Sequence, residues 1–517
     1  MRRYGLPLLI CLAHFIVLAS LARQHPFGTF ATETDFYHFY APDAARIAAG
    51  QFPANTYQGP GYPATLALIA KLAGRGADDL FTVGKWLSVV CAVACGGLIF
   101  TLFAGLFGRW VGVGAQLIAI ASGELPQYSI QAGTDLFFLF LCLAVLTLFL
   151  GERWPARWRI AGAGALTGAA YVTRYNGLFL LAACLIGIFA FNLLERPLRQ
   201  RALACAAFLA FFLLTASPWL YANWRQHGSP LYNTNYLNMA TEFYPELVGG
   251  KVNQDATRAL EQRFRSFGDV LRYDPKRMLA AYPGNLWESL RLSLRENLVA
   301  QFVGWLGWLG ALFVLGERRS KPALALLVAG GLYLLLMGLN HWETRYYFFL
   351  TALYAGLAAY AAARWLAMAR AQGWLRHRGF EAIPAAIVAG MMVMTLAQSR
   401  GLVREFLAGH PWEILAARDH LGGWPTGLRI VARKPHLPYL SHNEWVFFPQ
   451  VKTVEELRAW LTENPADLIA IGKRELKERK GLAPLGNPKK APDWLEPVWM
   501  NDDPVFILYR VKSLPRG

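Results

Sequence analysis

Nine charged residues close to the ends of long apolar runs are the side chains in this sequence best suited to chemistry at a membrane face. They are Glu33, Asp35, Asp43, Glu124, Asp135, Arg174, Arg225, Glu343 and Arg345. Several adjoin aromatic residues, as in "TDFYHFY", "TRYNG" and "HWETRYYFF". A charge so close to hydrocarbon is costly unless it is paired or faces a polar cavity. Carboxylates combined with arginines could activate a hydroxyl group and hold a phosphate.

A simpler interpretation exists for each of these residues taken alone. Long side chains at a span end can extend to the interface, and charged groups can cap a helix end. For the set, a shared outward-facing cavity is the better explanation, because the topology derived below places all nine at one membrane face.

The composition defines the class of protein. The chain has 517 residues, of which 55% are hydrophobic and 16% charged; soluble domains carry about 25% charged residues. Apolar runs of roughly 17–22 residues recur, long enough to cross a hydrocarbon core of about 30 Å. The net charge of +17 does not indicate nucleic-acid binding. Many of the basic residues lie in short loops between apolar runs, where positive charge marks the cytoplasmic side.

Hydropathy predicts about eleven membrane spans. They fall near 5–22, 82–105, 110–123, 134–150, 159–174, 177–194, 202–221, 298–316, 322–339, 346–366 and 381–398. The opening "MRRYG" and the alternate loops "FGRW", "GERWPARWR", "LERPLRQR", "GERRSK" and "ARAQGWLRHRGF" all contain arginine. This pattern predicts a cytoplasmic N-terminus. The orientation of the later spans is the same whether the first span is retained or cleaved after "VLASLA".

The opposite face receives two large loops, 27–81 and 222–297. The first contains a short apolar helix opened by Pro60 and Pro63, too short to span and therefore expected in the interface. The second has apolar residues at helical spacing between charges. It predicts helices on the membrane surface, with a solvated helical loop as the alternative.

The tail from 399 has a different character. "LRIVAR", "EWVFFPQ", "ADLIAIG" and "PVFILYRV" are typical of strands, and "TVEELRAWLTEN" of a helix whose Thr453 and Glu456 form a capping box. We therefore predict two domains, 1–398 in the membrane and 399–517 as a small α/β domain on the outer face. His436 and His442 give only a weak zinc signal. The six cysteines lie in apolar spans and predict neither a disulfide nor a metal site.

These motifs, in their order and sidedness, resemble the GT-C superfamily of integral-membrane glycosyltransferases. The similarity is to the branch of the protein O-mannosyltransferases and the lipid A aminoarabinose transferase. It rests on "TETDFYHFY", "YQGPGYPATLALIAKL", "SGELPQYSIQAGTDLFFLFL", "GALTGAAYVTRYNGLFLL", "SPWLYANWRQHGSPL" and "HWETRYYFFL". The resemblance implies a GT-C-like fold: mainly α, a polytopic transmembrane helical bundle with interfacial helices and the small outer α/β domain.

The resemblance also implies a polyprenyl phosphate-sugar donor and transfer to an acceptor on the outer face of the membrane. By that resemblance Asp35 takes the place of the loop carboxylate that acts as base. The O-mannosyltransferases have an adjacent Asp-Glu pair, whereas here Phe36 follows Asp35 and the nearest acid is Glu33.

The expected function is that of a hexosyl- or pentosyltransferase in the bacterial inner membrane, with the C-terminal domain in the periplasm. Arg174 and Arg345 are the candidates for binding the donor phosphate, because a guanidinium fork matches phosphate oxygens. The candidates for positioning the sugar or the acceptor are Asp43, Glu124, Asp135, Tyr175 and Glu343. The acceptor class, a lipid, glycan or protein hydroxyl, stays open. A divalent metal, Mg or Mn, also stays open, since no residue spacing indicates one.

Two other classes remain as alternatives. A transporter or flippase of lipid-linked sugars would also be polytopic with buried charges, although it would more often show internal repeats. A non-catalytic assembly protein could bind glycan through its α/β tail. Vesicle uptake, set against transfer of labelled sugar from a polyprenyl phosphate donor, separates these classes.

Overall fold

The computed structural model describes residues 4–248, 254–295, 298–299, 301–317, 320–340, 342–373 and 382–512. Residues 374–380 of the predicted loop "ARAQGWLRHRGF" and the two arginines of the predicted loop "GERRSK" therefore lie outside the described residues. The chain divides into two compact units. The helical unit comprises Met1–Pro26, Asp43–Gly74 and Thr82–Leu407; the sheet unit comprises Phe27–Pro42, Arg75–Phe81 and Ala408–Gly517. The first part of the predicted outward loop is thus grouped with the tail.

The helical unit is built from long apolar helices. In chain order they are Gly5–Arg23, Leu80–Phe107, Arg109–Ile120, Thr134–Leu150, Ala156–Thr173, Leu178–Phe189, Leu198–His227, Gln301–Glu317, Lys321–Met337, Phe348–Ala371 and Ile383–Ala408. By length and composition, five stretches among the described residues could each cross a membrane, and five shorter apolar helices accompany them. A polytopic helical membrane protein is confirmed, and the count of about eleven spans stays a prediction.

Small residues allow one close contact between two helices. Helix Ala156–Thr173 packs against helix Leu198–His227 through Gly164 and Gly168, four residues apart on one face. A methyl group on Gly164 would lie 2.6 Å from the carbonyl oxygen of Phe208. A methyl group on Gly168 would lie 2.6 Å from the carbonyl oxygen of Phe212, one turn later. Such spacing lets two membrane helices approach at backbone distance. The contact fixes the end of the helix that carries Arg174.

The two predicted outward loops are largely helical where they are described. The first contains Gly61–Leu72, as expected. The second contains Tyr236–Phe243, Pro245–Val248, Gln254–Arg263, Phe267–Tyr273 and Pro275–Ser293. Ser266 and Asp274 cap two of these helices by accepting hydrogen bonds from backbone N–H groups three residues later. The helices are therefore confirmed, and their position on the membrane surface stays a prediction.

The sheet unit contains a five-stranded mixed sheet. Its strands are β1 (Arg429–Ala432), β2 (Glu444–Phe447), β3 (Leu468–Gly472), β4 (Leu495–Asp502) and β5 (Val505–Val511). The order is β2-β1-β3-β5-β4; β1 is parallel to β2 and β3, and β5 is antiparallel to β3 and β4. Helix Trp412–Leu421 precedes β1, and the connections between strands contain helices His436–Leu440, Val454–Glu463 and Lys473–Glu478. The predicted small α/β sheet is confirmed.

Alternation along the strands gives this sheet two buried faces. Val431 and Ile469 pack into one core with Leu457, whereas their neighbours Ile430 and Leu468 pack into a second core on the other side. This is the period of two expected of a strand covered on both faces.

The predicted cap of helix Val454–Glu463 is confirmed. The Thr453 hydroxyl accepts from the Glu456 N–H at 3.2 Å, and the Glu456 carboxylate accepts from the Lys452 N–H at 2.7 Å. Strand β4 was missed by sequence analysis. Its letters, "LEPVWMND", mix charges with a proline, and its register shifts between Pro497 and Trp499. An edge strand with a bulge tolerates both features.

Candidate functional site

The segment that carries Glu33 and Asp35 is a folded part of the sheet unit. Asp35 is half-buried and immediately precedes a five-residue π-helix, Phe36–Tyr40. Glu33 is fully buried, and its Oε2 accepts a hydrogen bond from the Thr29 N–H at 2.8 Å. Its carboxylate therefore closes the turn that leads to Asp35. Short π-helical segments occur frequently at functional sites.

The aromatic residues next to these acids anchor the segment within the sheet unit. The Tyr37 hydroxyl accepts from the Gly28 N–H at 2.9 Å. The Tyr37 ring lies 4.7 Å from that of His436 and stacks on Phe81 at 5.8 Å. The His38 ring meets the Trp445 ring edge-on at 4.6 Å. The aromatics thus hold a loop in place, a packing role that their position beside acids did not indicate.

Lys434 is a functional candidate that sequence analysis missed. Its Nζ donates a hydrogen bond to the hydroxyl of Thr34, the neighbour of Asp35, at 2.9 Å. Burial, with repulsion from Arg433, lowers the pKa of Lys434 to about 8, and attraction by Asp35 opposes that shift. The available signal was a basic pair directly after a buried strand, in "RIVARKP".

The two histidines of the tail have separate partners. His436 is buried and its Nε2 lies 2.8 Å from the Thr29 carbonyl oxygen. Burial lowers its pKa to about 3, so the neutral ring donates this hydrogen bond at pH 7. His442 Nε2 instead lies 3.7 Å from Asp78. Nothing in this arrangement supports a zinc site.

A buried ion pair joins two of the predicted site residues in the helical unit. Arg174 Nη2 lies 2.6 Å from Asp135 Oδ1, with side-chain exposures of 9% and 6%. Arg174 Nε also donates to the Thr134 hydroxyl at 3.0 Å. Asp135 lies in the first turn of one helix and Arg174 follows the last residue of another. Both partners of a buried pair must stay, because removal of one leaves an uncompensated charge.

The ring of Tyr346 brings the two predicted phosphate-binding arginines together. The guanidinium carbon of Arg174 lies 5.4 Å from its centroid and that of Arg345 lies 5.3 Å away. Arg345 Nε in turn contacts Glu343 Oε2 at 2.5 Å. Each arginine therefore has a carboxylate partner and a shared aromatic face, which together fix the planes of the two guanidinium groups.

Glu124 belongs to the same cluster. Its Oε1 lies 3.5 Å from the hydroxyl of Thr344, between Glu343 and Arg345 in the chain. Tyr128, which sequence analysis missed, lies close to these charges: burial raises its pKa, and Asp135 raises it further. The structure thus unites the predicted residues Glu124, Asp135, Arg174, Glu343 and Arg345. Arg225 is exposed at the end of its helix.

A small polar cavity of about 40 Å³ adjoins this arginine cluster. Its lining comprises Tyr57, Gln58, Arg174, Tyr175, Asn176, Asn235, Asn238, Asn340 and Tyr346. Carboxamides and phenols of this kind both donate and accept hydrogen bonds. The predicted Tyr175 lies here, whereas the amides were missed, although "NTNYLN" in an outward loop was a signal.

Close backbone contact holds the first outward loop against the end of a helix, next to the residues that line the cavity. A methyl group on Gly59 would lie 2.0 Å from the carbonyl oxygen of Val172, so only glycine allows this approach. The Tyr57 hydroxyl donates to Asn238 Oδ1 at 2.7 Å, and the Asn235 amide donates to the Tyr57 carbonyl at 3.3 Å. The first and second outward loops are therefore hydrogen-bonded to each other beside Arg174.

Asp43 stabilises the part of the first outward loop that precedes Tyr57. It is buried, and its carboxylate accepts from the N–H groups of Ala54 at 2.7 Å and Asn55 at 3.2 Å. Burial raises its pKa. These contacts fix the chain that leads to Tyr57, which is a positioning role.

The described residues do not group into a metal site. Nowhere in the described ranges do three or more His, Cys, Asp or Glu side chains come together in a way that could hold an ion. The acids of the cluster are instead engaged with arginine and hydroxyl groups.

Part of the chain matches a known protein family. The model for dolichyl-phosphate-mannose-protein mannosyltransferases matches residues 57–222. This range includes Glu124, Asp135 and Arg174 and excludes Asp35. Comparison with curated protein sequences finds no significant match.

Solved structures of similar fold cover nearly the whole chain. ArnT from Cupriavidus metallidurans bound to undecaprenyl phosphate is 14% identical, with a TM-score of 0.57 and 98% of each chain covered. The Archaeoglobus fulgidus oligosaccharyltransferase AglB, with an inhibitory peptide and a dolichol-phosphate, is 12% identical with a TM-score of 0.60; 92% of this chain and 70% of AglB are covered. The same enzyme in complex with zinc and sulfate is 14% identical with a TM-score of 0.58, covering 89% of this chain and 67% of that one.

At these identities the similarity shows the fold. The GT-C fold and the resemblance to GT-C glycosyltransferases, including the O-mannosyltransferase and aminoarabinose transferase branches, are thereby confirmed. The partial family match supports the predicted enzyme class by sequence as well.

Proposed function

We propose that this chain is a glycosyltransferase that moves a sugar from a polyprenyl phosphate-linked donor to an acceptor on the outer face of the bacterial inner membrane. The observation that carries the proposal is the placement of Arg174 and Arg345 around the ring of Tyr346, beside a cavity lined by amides. Two proteins of the same fold bind lipid phosphates, undecaprenyl phosphate in ArnT and dolichol-phosphate in AglB.

The arginine cluster is the proposed donor-phosphate site. The leaving phosphate keeps its negative charge, so it needs cations more than it needs an acid. Asp135 and Glu343 hold the two guanidinium groups in fixed orientations before the donor arrives. Guanidinium N–H groups that are held in place in this way stabilise the negative charge that develops on the phosphate, and they need no reorganisation during the reaction.

The adjoining cavity is the proposed contact for the sugar. A volume of about 40 Å³ is too small for a whole ring, but it accommodates two or three hydroxyl groups at the ring's edge. Asn235 and Asn238 have orientations set by Tyr57, and Tyr175 donates to the Thr56 carbonyl at 3.3 Å. Amides and phenols are neutral and can both donate hydrogen bonds to sugar hydroxyl groups and accept hydrogen bonds from them.

Asp35 is the proposed base. In the transfer step the bond between the sugar C1 and the phosphate oxygen breaks, and the phosphate retains the electron pair. The acceptor hydroxyl oxygen bonds to C1 and passes its proton to the Asp35 carboxylate. A positioned base contributes about 10²–10⁴ in rate. Glu33, whose carboxylate closes the turn at Thr29, is proposed to position Asp35 and not to transfer protons.

The deciding experiment is a direct transfer assay. Purified protein in detergent receives a radiolabelled polyprenyl phosphate-sugar series and an envelope lipid and glycan extract, and mass spectrometry identifies the modified acceptor. Covalent transfer supports the proposal. Uptake of intact donor across vesicles without covalent transfer would instead identify a flippase.

A further inference from the structure

A basic crevice of about 260 Å³ lies in the sheet unit, and its lining shares no residue with the arginine cluster of the helical unit. Its floor is apolar and includes Ile414, Leu437 and Phe506. Four basic side chains, Arg433, Lys434, Lys473 and Arg474, line it together with Glu413 and Glu475. The lining therefore carries four positive and two negative formal charges.

Sheet topology explains why these cations meet. β1 ends at Ala432 and β3 at Gly472, and each strand is followed at once by two basic residues. The two strands are parallel neighbours, with Val431 opposite Ile469. The carboxyl ends of parallel neighbours lie at one sheet edge, which is where ligands bind in open α/β sheets.

One of the two carboxylates is committed to local structure. Glu475 is 7% exposed; its Oε1 contacts Arg433 Nε at 2.7 Å and its Oε2 accepts from the Gly472 N–H at 2.9 Å. It holds the turn after β3 and orients Arg433. Arg474 pairs with Glu478 at 2.7 Å, but both side chains are well exposed, so that pair is weak.

The positive charges act on each other. Repulsion from Arg433 and Arg474 contributes to the lowered pKa of Lys434, after burial, and repulsion from Lys434 and Arg433 contributes likewise at His436. A bound anion would relieve this repulsion. The lysines and arginines here differ from ordinary surface charges, because they surround an apolar floor at a strand-end crevice.

Lys434 also connects the crevice to the segment of Asp35. Its Nζ donates to the Thr34 hydroxyl, and Asp35 attracts its charge. A molecule whose anionic group occupied the crevice would therefore extend from Lys434 toward the proposed base. All of these residues belong to the sheet unit.

We propose that this crevice binds a phosphate group carried by the acceptor, and that the acceptor is accordingly a phosphorylated glycan or glycolipid. Binding of the phosphate by the crevice stands on its own. The assignment of that phosphate to the acceptor rests on the glycosyltransferase function proposed above.

The test compares two double variants of the full chain that lose the same charge. K473A/R474A removes two exposed crevice cations. K477A/K480A removes two exposed lysines from the same helix region that do not line the crevice. Binding of glucose 6-phosphate, glucose and inorganic phosphate is measured by calorimetry in detergent. We expect glucose 6-phosphate to bind wild type and the control within twofold of each other, and K473A/R474A at least tenfold more weakly.

Each outcome of the binding test decides a separate point. Equal binding of glucose 6-phosphate by the two double variants would refute phosphate binding by the crevice. Binding of glucose as tight as that of glucose 6-phosphate would refute it as well. Inorganic phosphate binding as tightly as glucose 6-phosphate would overturn the acceptor assignment and leave a site for the free ion.

The transfer assay then separates this inference from the proposed function. With a phosphorylated acceptor, K473A/R474A should raise the acceptor KM at least tenfold while leaving donor affinity unchanged. Absence of transfer by wild type from every donor, with phosphate binding intact, would refute the function and not the crevice. Transfer that is unaffected by acceptor dephosphorylation would refute the acceptor assignment alone.

Discussion

Replacing Arg174 by lysine tests the donor-phosphate site most directly. Lysine retains one positive charge for Asp135, whereas Asp135→Asn would leave a buried guanidinium unpaired and destabilise the fold by about 3–5 kcal/mol. Arg174→Lys removes the planar guanidinium group, and with it the Nε–H that donates a hydrogen bond to the Thr134 hydroxyl oxygen at 3.0 Å. The substitution thus isolates geometry from charge.

The expected size of the effect follows from burial. The substitution should cost one hydrogen bond between the guanidinium group and the donor phosphate. Loss of one hydrogen bond to a charged group corresponds to about 1.5–3 kcal/mol, or about a 10–140-fold loss of affinity for the donor. Arg174 is 9% exposed, so the upper part of this range applies. Arg345, at 10% exposure and close to the same ring, should behave alike.

The assay is a titration of a polyprenyl phosphate-sugar analogue against Arg174→Lys and Arg345→Lys in detergent. Arg109→Lys is the control, because Arg109 opens a helix on the predicted cytoplasmic side. A thermal melt of each variant verifies that the fold is intact. Affinities of all three variants within twofold of wild type, with unchanged melting, would refute the phosphate site and leave the arginines as interfacial anchors.

Three further predictions concern the proposed base Asp35, the nearby Lys434 and the membrane topology. Asp35→Asn should reduce transfer at least about 100-fold with donor binding retained, whereas Glu33→Gln should mainly lower the melting temperature, since its carboxylate closes a buried turn; activity of Asp35→Asn within threefold of wild type would move the base elsewhere. Transfer should decline above about pH 8 as Lys434 loses its proton, and Lys434→Arg, which stays charged, should extend activity to higher pH; an identical alkaline limb in both proteins would remove Lys434 from the reaction. Reporter fusions after Arg199 should score cytoplasmic, and those after Thr234 or at the C-terminus periplasmic; a cytoplasmic C-terminus would contradict the assigned orientation.

Local patterns were sufficient for much of the fold. Apolar run length predicts the membrane helices, and the cap at Thr453 follows from four consecutive positions. Charges at the ends of neighbouring runs were expected at one face, Asp135 and Arg174 among them, but the ion pair that these two form was not predicted.

Contacts between distant parts of the chain could not be predicted in this way. The hydrogen bond of Lys434 to Thr34 joins residues 400 positions apart, and no local pattern at either end announces it. The amide cavity beside Arg174 likewise depends on Gly59 allowing one loop to press against the end of a helix. Strand β4 was lost because Pro497 and its charged neighbours break the alternation that identifies strands.

The union of the segment around Asp35 with the C-terminal sheet determines when the protein can mature during synthesis. Thr29 is held on its N–H by Glu33 and on its carbonyl by His436, 407 residues later in the chain. At a translation rate of about 5–20 residues per second, those residues take about 20–80 seconds to emerge. The segment with the proposed base therefore leaves the ribosome early and acquires its contacts with the C-terminal sheet last, so a truncated or stalled chain would insert its helices and still be inactive.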